Sequence, residues 1–197
     1  VTAFSSFGWT TVLNGVTNGT LVIDNENASN PYGETAIGPN VTDADVDNVV
    51  FRKGGILRVT QDGALTVRGS IVNEGTFVCK AGGSVTLDSA QDCLLKGGTF
   101  SISRLYCKVP GKTVKIADGT SLAIQNGGSL VLNGSAASPL TVIPENGASN
   151  WSLTLGSGVE QDVQYVAVKN AQASADVADF GGTDLTGNND KWTFPEP

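Results

Sequence analysis

From Gly54 to about Ser157 the chain keeps returning to one five-residue phrase, polar-apolar-polar-apolar-polar, closed by Gly, Asn or Asp. Alternation with a period of two marks a β-strand with one buried face. The apolar pairs are Leu57/Val59, Leu65/Val67, Phe77/Cys79, Val85/Leu87, Cys93/Leu95, Phe100/Ile102, Leu105/Cys107, Val114/Ile116, Leu122/Ile124, Leu130/Leu132, Leu140/Val142 and Leu153/Leu155. Intervals of eight residues between first members recur, as in 57 to 65, 77 to 85 to 93, and 114 to 122 to 130. Glycines stand between the pairs, suited to the positive-φ corner that a sharp change of strand direction requires.

A strand with a single inward pair cannot bury a core in an isolated hairpin, so such strands must stack on copies of themselves. The spacing predicts an all-β fold, a right-handed parallel β-helix (β-solenoid), with three strands per turn, roughly 20–24 residues per coil and eight or nine coils. A β-sandwich is the alternative, but it would use longer strands without so strict a small unit. The outward positions are mostly polar or small: Arg58, Thr66, Val78, Thr86, Ser101, Lys115, Ala123, Val131 and Thr141. Residues 1–48 break the phrase and are read as an irregular N-terminal cap, 49–171 as solenoid coils and 172–197 as a C-terminal cap, all within one domain. In the last segment Phe180, Leu185, Trp192 and Phe194 offer bulk to close an open coil.

Composition narrows the function classes. Gly makes up 25 of 197 residues and charged residues only 16%, against a usual ~7% and ~25%, which excludes a charged helical bundle. No apolar run approaches the ~18 residues of a membrane span. The net charge of −7 repels phosphate backbones, so nucleic acid is not an expected partner. His is absent, which removes the usual general base near neutral pH, the Ser-His-Asp relay and the commonest zinc ligand. Met is absent too, even at position 1; a processed, exported chain that has lost a secretory signal is the corresponding expectation.

The phrasing of residues 54–87 (GGILRVTQDGALTVRGSIVNEGTFVCKAGGSVTL) and 119–142 (GTSLAIQNGGSLVLNGSAASPLTV) resembles the passenger-type regions of bacterial autotransporters and related adhesin-like surface β-solenoids. Residues 157–175 (SGVEQDVQYVAVKNAQASA) and 186–194 (TGNNDKWTF) look like the closing coil of such repeats in large exported proteins. The likeness covers about two thirds of the chain and implies a right-handed parallel β-helix in a cell-surface structural or adhesive part. The first 48 residues and the lack of a recognisable barrel or anchor depart from it.

Candidate sites are few. Asp43, Asp45 and Asp47 alternate as in a calcium loop, but the twelfth position counted from Asp43 is Gly54 where an EF-hand needs Glu. A solvated loop leading into Val49-Val50-Phe51 is the reading, with a calcium site outside the EF-hand pattern as the alternative and no other cofactor expected. Cys79, Cys93 and Cys107 are spaced by 14 and fall at inward positions. Buried free thiols are expected, with one disulfide plus one free thiol as the other possibility. Trp9, Tyr32 and Trp151, and with them Tyr106 and Tyr165, are candidates for stacking on sugar rings, although scattered aromatics also fill cores. Enzymes of β-helix type need convergent carboxylates near Arg or Lys. Here Arg52, Arg58, Arg68 and Arg104 have only Asp88 and Asp92 near coil spacing, and a corner loop accounts for both. Sequons at Asn18, Asn27, Asn40, Asn133 and Asn150 are what an Asn/Ser/Thr-rich chain carries by chance.

The expected function is therefore a non-catalytic extracellular structural or adhesive protein of a bacterial surface. Its partners would be copies of itself, joined head to tail as a filament, or neighbouring surface proteins and glycans. A monomeric capped rod fits the same composition, and a carbohydrate-binding module or a polysaccharide lyase or glycosidase of β-helix type is the alternative.

Overall fold

The structure, a computed structural model, describes residues 2–5, 12–24 and 40–195. These residues are strands and turns with no helix, and hence no helix long and apolar enough to cross a membrane. In chain order the strands are β1 (Thr2–Ser5), β2 (Val12–Thr17), β3 (Thr20–Asp24), β4 (Asn40–Val46), β5 (Asn48–Phe51), β6 (Ile56–Val67) and β7 (Ile71–Asn73). There follow β8 (Thr76–Cys79), β9 (Ser84–Leu87), β10 (Cys93–Lys96), β11 (Thr99–Cys107), β12 (Thr113–Ile116), β13 (Ser121–Asn133) and β14 (Leu140–Pro144). The last are β15 (Trp151–Leu155), β16 (Glu160–Gln164), β17 (Val166–Val168), β18 (Ala171–Ala178), β19 (Thr183–Asp184) and β20 (Asp190–Thr193).

They form two parallel sheets between which the chain alternates. One runs β1-β3-β5-β7-β10-β12-β14-β17-β19; the other runs β2-β4-β6-β9-β11-β13-β15-β18-β20, with β8 also on β6 and β16 also on β13. In the second sheet β11 and β13 break register between Ile102 and Arg104, so Phe100 and Ile102 pair with Leu122 and Ile124 while Leu105 and Cys107 pair with Leu130 and Leu132. Each such long strand thus carries two apolar pairs, and the facing sheet adds a third. This is consistent with a β-solenoid of three short strands per turn.

Turn length varies more than the expected 20–24. Val49 pairs with Ile71, 22 residues on, and Cys93 with Val114, 21 on, but Val114 pairs with Val142, 28 on, and Val168 with Asp184, 16 on. The corners absorb the difference. Between Asn133 and Leu140, for example, the extra residues fold on themselves through a bridge of Ser135 with Ser138.

All twelve apolar pairs face inward and are buried, except that Leu155 is only partly covered. Phe51, Phe77 and Phe100 stack through successive turns with ring centroids 6.3 and 5.6 Å apart, a spacing at which tilted rings attract beyond simple burial.

The parallel pairing continues beyond the boundaries read from the sequence. Before residue 49, β2 pairs with β4, β4 with β6, and β3 with β5. Leu13, Leu21, Ile23, Val41, Ala44 and Val46 enter the core there. After residue 171, β18 pairs with β15 and with β20, its inward positions filled by Ala171, Ala173 and Val177. Trp192 closes this end as expected, 6.1 Å from Trp151 in an edge-to-face contact. Phe194 packs partly on the core. Phe180 and Leu185 do not close the coil; they are 49% and 46% exposed, Phe180 between β18 and β19 and Leu185 just past β19.

Candidate functional site

The acidic run lies on β4. Strand alternation turns Asp43 and Asp45 outward while Ala44 and Val46 enter the core. One turn later β6 ends at Val67, which pairs with Val46, and Arg68 follows directly. Its guanidinium reaches Asp45 at 2.8 Å and Asp47 at 3.2 Å. The other Asp47 oxygen accepts the Gly19 N–H at 2.8 Å. Two of the three calcium candidates are therefore held by an arginine, and Asp43 stands exposed beside them. Among the described residues no three His, Cys, Asp or Glu side chains are grouped to hold a metal ion. The Arg68 guanidinium lies between Asp45 and Asp47, two of the three carboxylates offered as calcium ligands.

The aromatic candidates are not brought together. Trp151 is 3% exposed and donates its indole N–H to the Lys169 carbonyl at 2.8 Å. It is a core residue, because β15 begins two positions before its apolar pair and Trp151 is in inward phase with Leu153. Tyr106 points outward between Thr86 and Val131, and the Tyr165 ring lies against Gly181. Trp9 and Tyr32 lie outside the described residues.

The three thiols are free and buried, as their inward phase required. Burial pushes Cys93 up to about 11, and Cys107 up to about 12 with a further contribution from Cys93. The Lys112 charge acts in the opposite direction on both. Cys79 is raised by burial against a hydrogen bond from the Ser103 N–H. Such thiols are protonated at neutral pH and unreactive as nucleophiles. Asp88 and Asp92 sit at the corner between β9 and β10, and Asp92 pairs with Lys115 at 3.3 Å.

Three polar features escaped the sequence reading. Lys112 is fully buried, with Nζ donating to the carbonyls of Arg68, Asp88, Ser89 and Gln91 at 3.0, 3.1, 3.0 and 2.6 Å. Asp179 is fully buried, accepting the Val166 N–H at 3.1 Å and the Trp192 indole N–H at 3.4 Å. Both continue the inward phase of a strand, Lys112 with Val114 and Ile116, Asp179 with Val177. A charge at an inward position was the available signal. The third feature is a corner at which Asn150, Asn170 and Asn188 stack. Asn188 Nδ2 donates to Asn150 Oδ1 at 3.0 Å and to Asn170 Oδ1 at 3.4 Å. Asn170 Nδ2 donates to the Ala148 and Ser149 carbonyls, both at 3.2 Å.

Burial pushes the Asp179 carboxyl up to about 6, against the two hydrogen bonds, which act to lower it. An acid raised in the folded state binds its proton more tightly there than in the unfolded chain, where it titrates near ~3.9. Its contribution to stability is thus full below pH ~4 and is lost as pH rises to about 6, amounting to ~3 kcal/mol at 1.36 kcal/mol per unit. Asp162 works the other way, its pKa lowered chiefly by the Asn133 amide, so the total profile mixes signs. The difference between Asp179→Asn and the parent isolates the group. In urea unfolding the variant should gain ~2–3 kcal/mol relative to the parent between pH 4 and pH 7, and a difference independent of pH would refute this assignment.

These residues are the whole basis for assigning a function, since no protein-family model, no curated protein and no solved structure matches the chain.

Proposed function

We propose that this chain is a right-handed parallel β-helix acting as a non-catalytic structural or adhesive part of a bacterial cell-surface protein, able to stack head to tail with copies of itself. The handedness is supported by the near-universal right-handed sense of parallel crossovers. The observation that carries the reading is where the prominent polar groups are directed. Arg68 holds Asp45 and Asp47 of the preceding turn, Lys112 holds carbonyls of two earlier turns, and Asp179 holds Val166 and Trp192. Each fastens one turn to another. Catalysis instead draws on groups presented to a substrate, with a proton-transfer partner at hand.

The ladders of the described residues end on β1 and β19 in one sheet and on β2 and β20 in the other. An outermost strand offers its free backbone edge to another strand, and a contact that does not close into a ring propagates as a filament. Two measurements test the reading. Incubation with acidic and neutral polysaccharides, followed by unsaturated-product absorbance and reducing ends, should show no turnover; release of products would replace the structural reading with a lyase or glycosidase. Sedimentation and negative-stain microscopy should show end-to-end assemblies that lengthen with concentration, and strictly monomeric particles at high concentration would remove the filament.

A further inference from the structure

The buried Lys112 ammonium has four backbone carbonyl neighbours, of Arg68, Asp88, Ser89 and Gln91, all within 2.6–3.1 Å. An ammonium has three N–H donors, so one is shared between two carbonyls. These hydrogen-bond partners include no carboxylate, and the nearby Cys93 and Cys107 thiols are held neutral by burial. Every hydrogen bond of the ammonium is therefore made to a carbonyl oxygen, with the Asp88 and Asp92 carboxylates nearby but not in contact. A shell of carbonyl oxygens replacing water is how proteins hold a bare monovalent cation, whereas a divalent ion calls for carboxylates.

The cage keeps its shape by bonds that do not involve Lys112. Arg68 N donates to the Val46 carbonyl at 3.0 Å and Asp88 N to the Val67 carbonyl at 2.9 Å. Ser89 sits in the left-handed region at φ +71°, and its hydroxyl accepts the Gln91 N–H at 3.1 Å. Asp88, Ala90, Gln91 and Asp92 are exposed, so only a thin corner separates the carbonyls from solvent.

We propose that this corner is a monovalent-cation site whose resident cation is supplied covalently by Lys112, and that removing the side chain leaves a pocket for potassium or ammonium. The test is thermal unfolding of Lys112→Ala at equal ionic strength in the chlorides of potassium, ammonium and choline. The variant should melt well below the parent in choline and recover progressively with the logarithm of potassium or ammonium concentration. At a cation concentration one hundred times its Kd, the folded-to-unfolded ratio rises about a hundredfold. The parent, with its site filled, should not distinguish the three salts. Lys112→Met, which fills the stem volume with a neutral chain, should be destabilised and indifferent to the cation. The proposal is overturned if Lys112→Ala is as stable as the parent, if it responds alike to choline and potassium, or if it stays unfolded in all three salts.

Discussion

Leu132→Asp should destabilise the protein by ~3–5 kcal/mol in urea unfolding, among the largest effects a single side chain can have here. Leu132 lies between Cys107 and Val163 in the inner register of the second sheet. It lines a small apolar gap together with Leu105, Leu130, Val142 and Leu153, so a carboxylate there meets no donor and no water. Its neighbour Val131 is the control. The strand phase turns Val131 outward, and sequence reasoning alone makes Val131→Asp nearly silent; the structure corrects that. Val131 is only 9% exposed and sits between Tyr106 and Asp162 on the adjacent strands. A second carboxylate opposite Asp162 costs about 1–2 kcal/mol through lost packing and like-charge repulsion. Equal losses for the two substitutions would show that the phase of β13 is wrong.

Gly97→Ala should destabilise by ~2–4 kcal/mol, with a smaller loss, about 1 kcal/mol, for Gly119→Ala. Both glycines have positive φ, +104° and +73°, which alone disfavours any side chain. The difference is in what a methyl would meet. At Gly119 nothing lies within 4 Å, whereas at Gly97 the new carbon would overlap the Asn73 carbonyl oxygen at the end of β7. That oxygen belongs to the backbone of the preceding turn and cannot swing aside. The Gly97 N–H is also tied forward to Thr120 Oγ1 at 2.8 Å, so the glycine is held between its two neighbouring turns. Chemical denaturation of the two variants side by side separates backbone strain from collision; equal losses would mean that the turns are not in contact at this corner.

The middle of the fold is legible because its signal is local. Pairs such as Leu65/Val67 and Leu130/Leu132 report strand, phase and face from three consecutive residues. The N-terminal strands hide the same signal. In β2 the inward residues Leu13 and Val16 straddle Gly15 at a shift in register, and in β4 the acidic run that suggests a loop is the outward half of a strand whose inward half includes Ala44 and Val46. At the other end Ala171 and Ala173 are too small to register as an apolar pair. The polar anchors are a different matter. Lys112 meets carbonyls as far as 44 residues back along the chain, and Asp179 meets an indole 13 residues ahead. The inward phase announces a charge in the wrong place, but its partner follows only once the offset between turns is known, and that offset varies from 16 to 28 residues along one sheet.

Parallel stacking also decides how such a rod answers a pull. The pairing hydrogen bonds point along the stacking direction, so tension applied that way opens them head-on rather than in shear, one turn at a time. Releasing the turn from Val49 to Ile71 frees 22 residues, on the order of ~75 Å of contour, in exchange for a single strand spacing of ~4.8 Å. Extension is thus delivered in steps many times larger than the length each turn occupied. When the load drops, the last intact turn presents a ready edge on which the released segment can rewind. A tether built this way yields under tension at its exposed end while the turns further in keep their shape.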